Sequence, residues 1–225
     1  MKSAVLGTGM VGRTIAARLA ELGHSVTVGT RDPDAAMARN GADEMGNPAF
    51  AAWAAEHPDI KVARFSDAAA GAELIVNATN GGASLDVLGQ VGARSLDGRV
   101  VLDIANPLDF SNGMPPTLFV KDTDSLAEQI QRAFPTARVV KALNTLNADL
   151  MARPGLLPDP GSVFVSGNDA EAKAIVTGIL KDFGHQDVID LGDITTARGT
   201  EMLLPVWLRL WGALGTPAFN FKIVR

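Results

Sequence analysis

The chain has 225 residues, enough for one well-cored domain or for one domain with a small appendage. Its 20 basic and 25 acidic residues leave a net charge of −5, which argues against broad nucleic-acid binding while leaving room for a local basic pocket. The absence of cysteine excludes disulfides, thiolate metal sites and thiol nucleophiles, and the absence of tyrosine removes a proton donor common in reductases.

In chain order, Lys2 to Leu6 reads as a buried strand. GTGMVG follows at once, and Val11, Ile15, Leu19 and Leu22 recur at helical spacing until Gly23 ends the helix. Ser25 to Val28 is a second strand, so residues 2–30 form a complete β-α-β unit. The Ala-rich stretch from Asp34 to His57 is predicted helical in two pieces, broken at Gly46-Asn47-Pro48. Ile60 to Phe65 is a strand, Ser66 caps a short helix, and Glu73 to Ala78 is a buried strand. Ser84 to Gln90 is helical and Arg99 to Ile104 is a further buried strand. Asn106 to Thr117, with three prolines and two asparagines, is read as a loop. Ser125 to Phe134 is a helix with Leu126 and Ile130 inward, and Arg138 to Ala142 is a strand.

Strands alternating with helices imply a mainly parallel sheet covered on both faces, an α/β, Rossmann-type doubly wound architecture over residues 1–145. Residues 146–225 are expected to form a small C-terminal α+β domain packed tightly on the first. Pro154, Pro158 and Pro160 mark a loop there. Ser162 to Ser166 is a strand, Asp169 to Asp182 a helix and Asp187 to Leu191 a strand. Ile194 to Leu214 is a long apolar helix, and Ala218 to Val224 is read as a final strand. No apolar run approaches a membrane span and no signal-peptide pattern opens the chain, so a cytoplasmic protein is expected.

Gly7, Gly9 and Gly12 form a G-x-G-x-x-G string that follows a strand and opens a helix, the context in which the pattern specifies a dinucleotide site. Gly7 permits the tight turn, Gly9 lets the backbone approach a pyrophosphate, and Gly12 lets helix and strand pack closely. The free N–H groups of the helix N-terminus then face the phosphates. An NAD site would carry a carboxylate at the end of the second strand. That strand instead ends Val28-Gly29-Thr30-Arg31, a hydroxyl and a planar cation suited to a 2′-phosphate, which points to NADP. Asp32 favours NAD if it turns inward; ahead of Pro33 it otherwise serves as a helix cap. Two later strand ends, Asn77-Ala78-Thr79-Asn80 and Ala105-Asn106-Pro107, are placed to line the cleft. Thr79 is the better placed for a ligand. Asn80 and Asn106 suit ligand hydrogen bonds and turn formation equally.

AVLGTGMVGRTIAARLAELGH, VGTRDP and KALNTLNADLM, with FNFKIV near the C-terminus, resemble the coenzyme F420-dependent NADP oxidoreductases. Related folds include pyrroline carboxylate reductases and the cytosolic domain of STEAP-type ferric reductases. The resemblance implies NADP in the N-terminal domain, with phosphate contacts from Thr8, Gly9, Met10 and Val11 and 2′-phosphate contacts from Thr30 and Arg31. It implies direct hydride transfer between the nicotinamide and the deazaflavin ring of F420. Lys141-Ala142-Leu143-Asn144-Thr145 would then lie beside that ring, and the C-terminal domain would close the pocket. Asn144 and Thr145 become the candidates for positioning the acceptor, with Asn77, Ala78, Thr79, Asn106 and Ala142 as further cofactor contacts.

Hydride transfer between two bound rings needs proximity and a dry cleft, not a side-chain nucleophile. That suits a chain whose three histidines, His24, His57 and His185, lack metal-ligand spacing and read as surface or capping residues. No metal site is expected. Lys141 is either an acid turned into the cleft or a strand-end lysine, structural or anion-binding, with its charge in water. Other acceptors (a flavin, a ferric chelate, an imine or a ketone) stand as alternatives. So does a non-catalytic NADP-binding redox sensor, favoured if Met10 or the 106–117 loop blocks the cleft. The 194–214 helix is apolar on nearly every side, with Trp207 and Trp211 on one face and Pro205 placed to kink it. It is expected either in the core or at a homodimer interface, with Arg198 placed to meet an acidic cofactor tail. Neither nucleic acid nor membrane is expected as a partner.

Overall fold

The short aliphatic runs of the sequence become strands, and the glycines between them become the turns. The computed structural model describes residues 1–39, 41, 46 and 48–225, so Asn47 of the expected Gly46-Asn47-Pro48 break lies outside the described residues. The first half runs β1 (Lys2–Leu6), α1 (Met10–Glu21), β2 (Ser25–Thr30), α2 (Pro33–Ala38), α3 (Phe50–Glu56), β3 (Lys61–Arg64), α4 (Phe65–Ala69), β4 (Leu74–Asn77), α5 (Ser84–Val91), α6 (Ala93–Leu96) and β5 (Val100–Asp103). The antiparallel pair β6 (Leu108–Asp109) and β7 (Thr117–Leu118) follows. Then come α7 (Leu126–Ala133), β8 (Arg138–Ala142), α8 (Ala148–Ala152), β9 (Ser162–Gly167), α9 (Ala170–Phe183), β10 (Asp187–Gly192), α10 (Ala197–Met202) and α11 (Leu204–Leu214).

Eight strands form one sheet in the order β3-β2-β1-β4-β5-β8-β9-β10. The first six are parallel, β9 is antiparallel to β8, and β10 is parallel to β9. Residues after 145 therefore add two strands to the same sheet. Period-two alternation sorts the central strands onto two cores: Val5, Val76, Leu102 and Val140 pack with α1, α8 and α9 on one face. Leu6, Ile75, Val101 and Val139 pack with α4, α5 and α7 on the other. The chain reverses winding direction between β1 and β4, which opens a crevice at the carboxyl ends of those strands. No helix among the described residues is long and apolar enough to cross a membrane.

Four expectations need correction. Ser66 lies inside α4, and Arg64, in extended backbone, precedes the helix without a side-chain cap. The 106–117 loop contributes to a hairpin through β6 and β7. The single helix over 194–214 is divided into a 3₁₀ turn at Ile194–Thr196, then α10, then α11, with Pro205 in the first turn of the last. Proline lacks the N–H that would continue α10, so the helix restarts there. Residues 218–224 form no strand. They cross the start of β9 through Ser162 N–H to Phe221 O (2.8 Å), and the Asn220 side-chain amide donates to Pro160 O (2.7 Å) and Ser162 O (3.1 Å) where a ladder would use backbone groups.

Candidate active site

Gly7 turns the chain out of β1 at φ 119°, and its N–H donates to Gly29 O of β2 at 3.0 Å. A Cβ on Gly7 would lie 2.7 Å from Ala78 O, and one on Gly12 would lie 2.2 Å from Gly7 O. Backbone touches backbone at both positions. Gly9 is different: a Cβ there would meet nothing within 4 Å. It caps α1, whose first bond runs from Arg13 N–H to Gly9 O at 3.0 Å. The N–H groups of Met10, Val11 and Gly12 thus precede the helix's own acceptors. Open space over a glycine, beside a helix N-terminus with no acid in its first turn, fits a pyrophosphate. Arg13 braces the loop: its Nε donates to Thr8 O at 2.7 Å, and its guanidinium lies over the Phe50 ring.

The β2 end carries buried Thr30 and exposed Arg31. Asp32 accepts from Ala35 N–H at 3.0 Å, so its carboxylate caps α2. Arg64 was not singled out in the sequence. It ends β3 in register with Thr30, and its guanidinium donates to Arg31 O at 3.3 Å. Two guanidinium groups thus stand on neighbouring strand ends. The available signal was topological, because the third strand lies beside the second in this winding order.

A cleft of about 1020 Å³ opens over the ends of β4 and β5, under α11. Met10 and Val11 enter it from α1, Ala78 to Gly81 and Ile104 to Asn106 from the strand ends, and Trp207 and Trp211 from α11. Its polar side chains are Thr79 and four asparagines, Asn80, Asn106, Asn144 and Asn147. No Asp, Glu, His, Lys or Arg is among its described lining residues. Met10 and the 106–117 loop line this space without filling it. Asn77, Ala142 and Thr145 are buried behind the wall and do not line it. Leu143 takes φ 63°, uncommon for a branched residue, and the turn it makes sets Asn144 against Asn106. The two amides are locked: Asn106 Nδ2 donates to Asn144 O (2.9 Å), and Asn144 Nδ2 donates to Asn106 Oδ1 (3.0 Å) and Thr200 O (3.0 Å).

Behind that wall sits a buried ion triad. Lys141 is neither in the cleft nor solvated: its side chain is fully buried, and Nζ lies 2.8 Å from Asp103 Oδ2 and 2.9 Å from Glu201 Oε1. It also donates to Ala105 O. Burial alone would pull its pKa down; Asp103 and Glu201 overcome that and hold it above the ordinary lysine value. Glu201 also accepts from the Leu126 and Ala127 N–H groups at the start of α7 (2.8 and 3.1 Å). Asp103 Oδ1 accepts from Asn77 Nδ2 (2.8 Å), whose Oδ1 accepts from Thr79 in the cleft (2.7 Å). Polar contacts therefore run from the cleft wall to α10. Arg198 is committed elsewhere, as a bidentate partner of Glu128 (2.8 and 2.6 Å). His185 is not at the surface: it is buried, burial lowers its pKa, and its Nε2 donates to Met151 O at 2.9 Å at the end of α8.

Similarity to known proteins accords with this geometry. Residues 2–107 match the family model described as NADP oxidoreductase, coenzyme F420-dependent. The chain is 28% identical to an F420-dependent NADP reductase of Methanocaldococcus jannaschii, over 93% of this chain and 92% of that one. It is also 28% identical to the metalloreductase STEAP3 of Rattus norvegicus over 92% of its length, but spans only 38% of that protein. A solved structure from Arthrobacter sp. FB24, provisionally assigned as an F420-dependent NADP-reductase, is 64% identical and covers both chains fully with a TM-score of 0.96. A reductive aminase from Aspergillus terreus, 19% identical with a TM-score of 0.62 over 95% of this chain and 62% of that one, shares the fold.

Proposed function

Because the chain belongs to the family of coenzyme F420-dependent NADP oxidoreductases, we propose that it transfers a hydride directly between NADPH and the deazaflavin F420 in the cleft beneath α11. The composition of the cleft carries this reading: its walls are apolar with a few amides and one hydroxyl, and no titratable side chain is among the described lining residues. The nicotinamide of NADPH would supply the hydride to the deazaflavin carbon, leaving NADP⁺ and a delocalised ring anion that takes its proton from solvent, whereas a reduced ketone would leave a localised alkoxide. The protein aligns the two rings and keeps water out.

In this reading Gly9 and the N–H groups of Met10, Val11 and Gly12 hold the pyrophosphate. Thr30, Arg31 and Arg64 hold the 2′-phosphate. Thr79, Asn80 and Asn106 face the nicotinamide end, and Asn144, fixed by Asn106, orients the acceptor. Trp207 and Trp211 cover the rings. Reducing a ketone or an imine calls for a proton donor at the acceptor, and the described cleft walls offer none. The open cleft gives a blocked-pocket sensor no support.

The direct test mixes purified protein with NADPH and F420 and follows the deazaflavin absorbance, with NADH and flavin as controls. NADPH-selective loss of the F420 band is expected. NADPH binding without F420 turnover would overturn the acceptor assignment. In the same assay Arg31→Ala should raise the KM for NADPH roughly tenfold or more, since a charge-assisted hydrogen bond is worth ~1.5–3 kcal/mol. Arg64→Ala should act in the same direction, with NADH little affected by either change. Equal losses with both cofactors would remove the 2′-phosphate role.

We also propose a homodimer through the outward face of α11. Leu204 and Trp207 turn inward, with Trp207 stacked on Phe219, while Val206 and Leu214 remain 49% and 56% exposed. Val206→Glu with Leu214→Glu should halve the mass found by sedimentation. An unchanged mass would retire this interface.

A further inference from the structure

A second groove, of about 360 Å³, runs between Pro115–Leu118 and the faces of α10 and α11. Pro116 and Leu208 line both this groove and the cleft, so one begins where the other ends. Its floor is apolar, with Met202 and Pro205. Two cations change its character: Lys121, from the segment after β7, and Arg209, from α11. Neither has a hydrogen bond or ion pair among the described residues. No carboxylate is among the described residues lining the groove; Asp122 follows Lys121 in the chain but is not among them. Nearby cations are matched by acids, Arg198 by Glu128 and Arg132 by Asp124. In a chain of net charge −5, two unmatched cations on one apolar groove make a local positive field that favours an anionic ligand.

We propose that this groove is the subsite for the anionic tail of the acceptor whose ring occupies the cleft; the inference rests on the functional reading above. The chemistry it takes is a phosphodiester or carboxylate at the end of a flexible chain. Arg209 offers a planar fork to such a group, and Lys121 a mobile point charge. The apolar floor accommodates the carbon chain between ring and charge. F420 in its tailed form carries a phosphodiester and carboxylates of this kind beyond the ribityl chain.

The test measures binding by deazaflavin fluorescence, with NADP⁺ present, for tailed F420 and for the parent deazaflavin that ends at the ribityl chain. Wild-type protein should bind the tailed compound about tenfold more tightly at low salt, the scale of one charge-assisted hydrogen bond. The gap should narrow as salt rises. Lys121→Gln with Arg209→Gln should abolish the gap while leaving NADPH affinity and tail-less affinity as they were. Equal wild-type affinity for the two compounds would overturn the subsite and leave the ring reading intact. Binding of neither would overturn the acceptor reading and the subsite with it. The wild-type comparison needs no variant, so it decides the matter even if the double substitution fails to fold.

Discussion

Lys141→Met should destabilise the fold by about 3–5 kcal/mol, the range for breaking a buried ion pair from one side. At about 2–4 °C per kcal/mol for a chain of this size, a thermal melt should fall on the order of 10 °C. The lysine stem is replaced by a side chain of similar reach, so most of the loss is electrostatic. Asp103 and Glu201 stay buried after the change, because Asp103 still accepts from Asn77 and Ala105 N–H, and Glu201 from two N–H groups of α7. They lose only their shared cation. Loss of the cation favours the protonated carboxyl in the folded variant more than in the unaltered protein, so the deficit shrinks as pH falls. Melts at pH 7 and pH 5 separate the causes: a deficit that does not change with pH would mean lost packing, not lost charge. In the unaltered protein Lys141 has a folded pKa raised above 10.5. Its charge therefore stabilises fully below that value and fades only as pH rises beyond it.

The same triad shows where sequence reasoning runs out. The central strands were legible because parallel strands buried on both faces appear as unbroken aliphatic runs, as in Leu74 to Val76 and Val100 to Leu102. The glycine loop was legible because its spacing lies within one β-α-β unit, where Gly12 answers to Gly7 O, although Gly7 answers to Ala78 O beyond β4 and Gly9 to no protein atom. Lys141 was not. Its counter-ions come from β5 and from α10, both distant in the chain, and a strand-end lysine with no partner in view reads as solvated. Arg198 misled for the same reason, since Glu128 lies on another helix. The aromatic and β-branched residues of 218–224 have strand composition, yet Asn220 satisfies the backbone of β9 by side-chain bonds, and composition does not reveal that substitution. Arg64 needed only the strand order to place it beside Arg31.

Gly9→Val and Gly12→Ala should part company, and the contrast tests the cofactor site more sharply than either change alone. Gly9 has extended backbone, φ −73° and ψ 177°, which valine adopts readily. A side chain there meets no protein atom near its Cβ. The fold should persist, with a loss below about 1 kcal/mol from the poorer helix cap. The added methyls would stand in the space assigned to the pyrophosphate, so NADPH affinity should fall by about a hundredfold or more, the effect of ~3 kcal/mol. Gly12→Ala places a methyl 2.2 Å from Gly7 O, and backbone on both sides must give way. Displacing α1 from β1 should cost about 1–3 kcal/mol or more and lower the melting temperature together with NADPH affinity. Calorimetric melts and NADPH titration on both variants read the two effects separately. A Gly9→Val protein that melts normally and still binds NADPH at wild-type affinity would show that the dinucleotide does not approach this loop, and the cleft beneath α11 would then need a different first ligand.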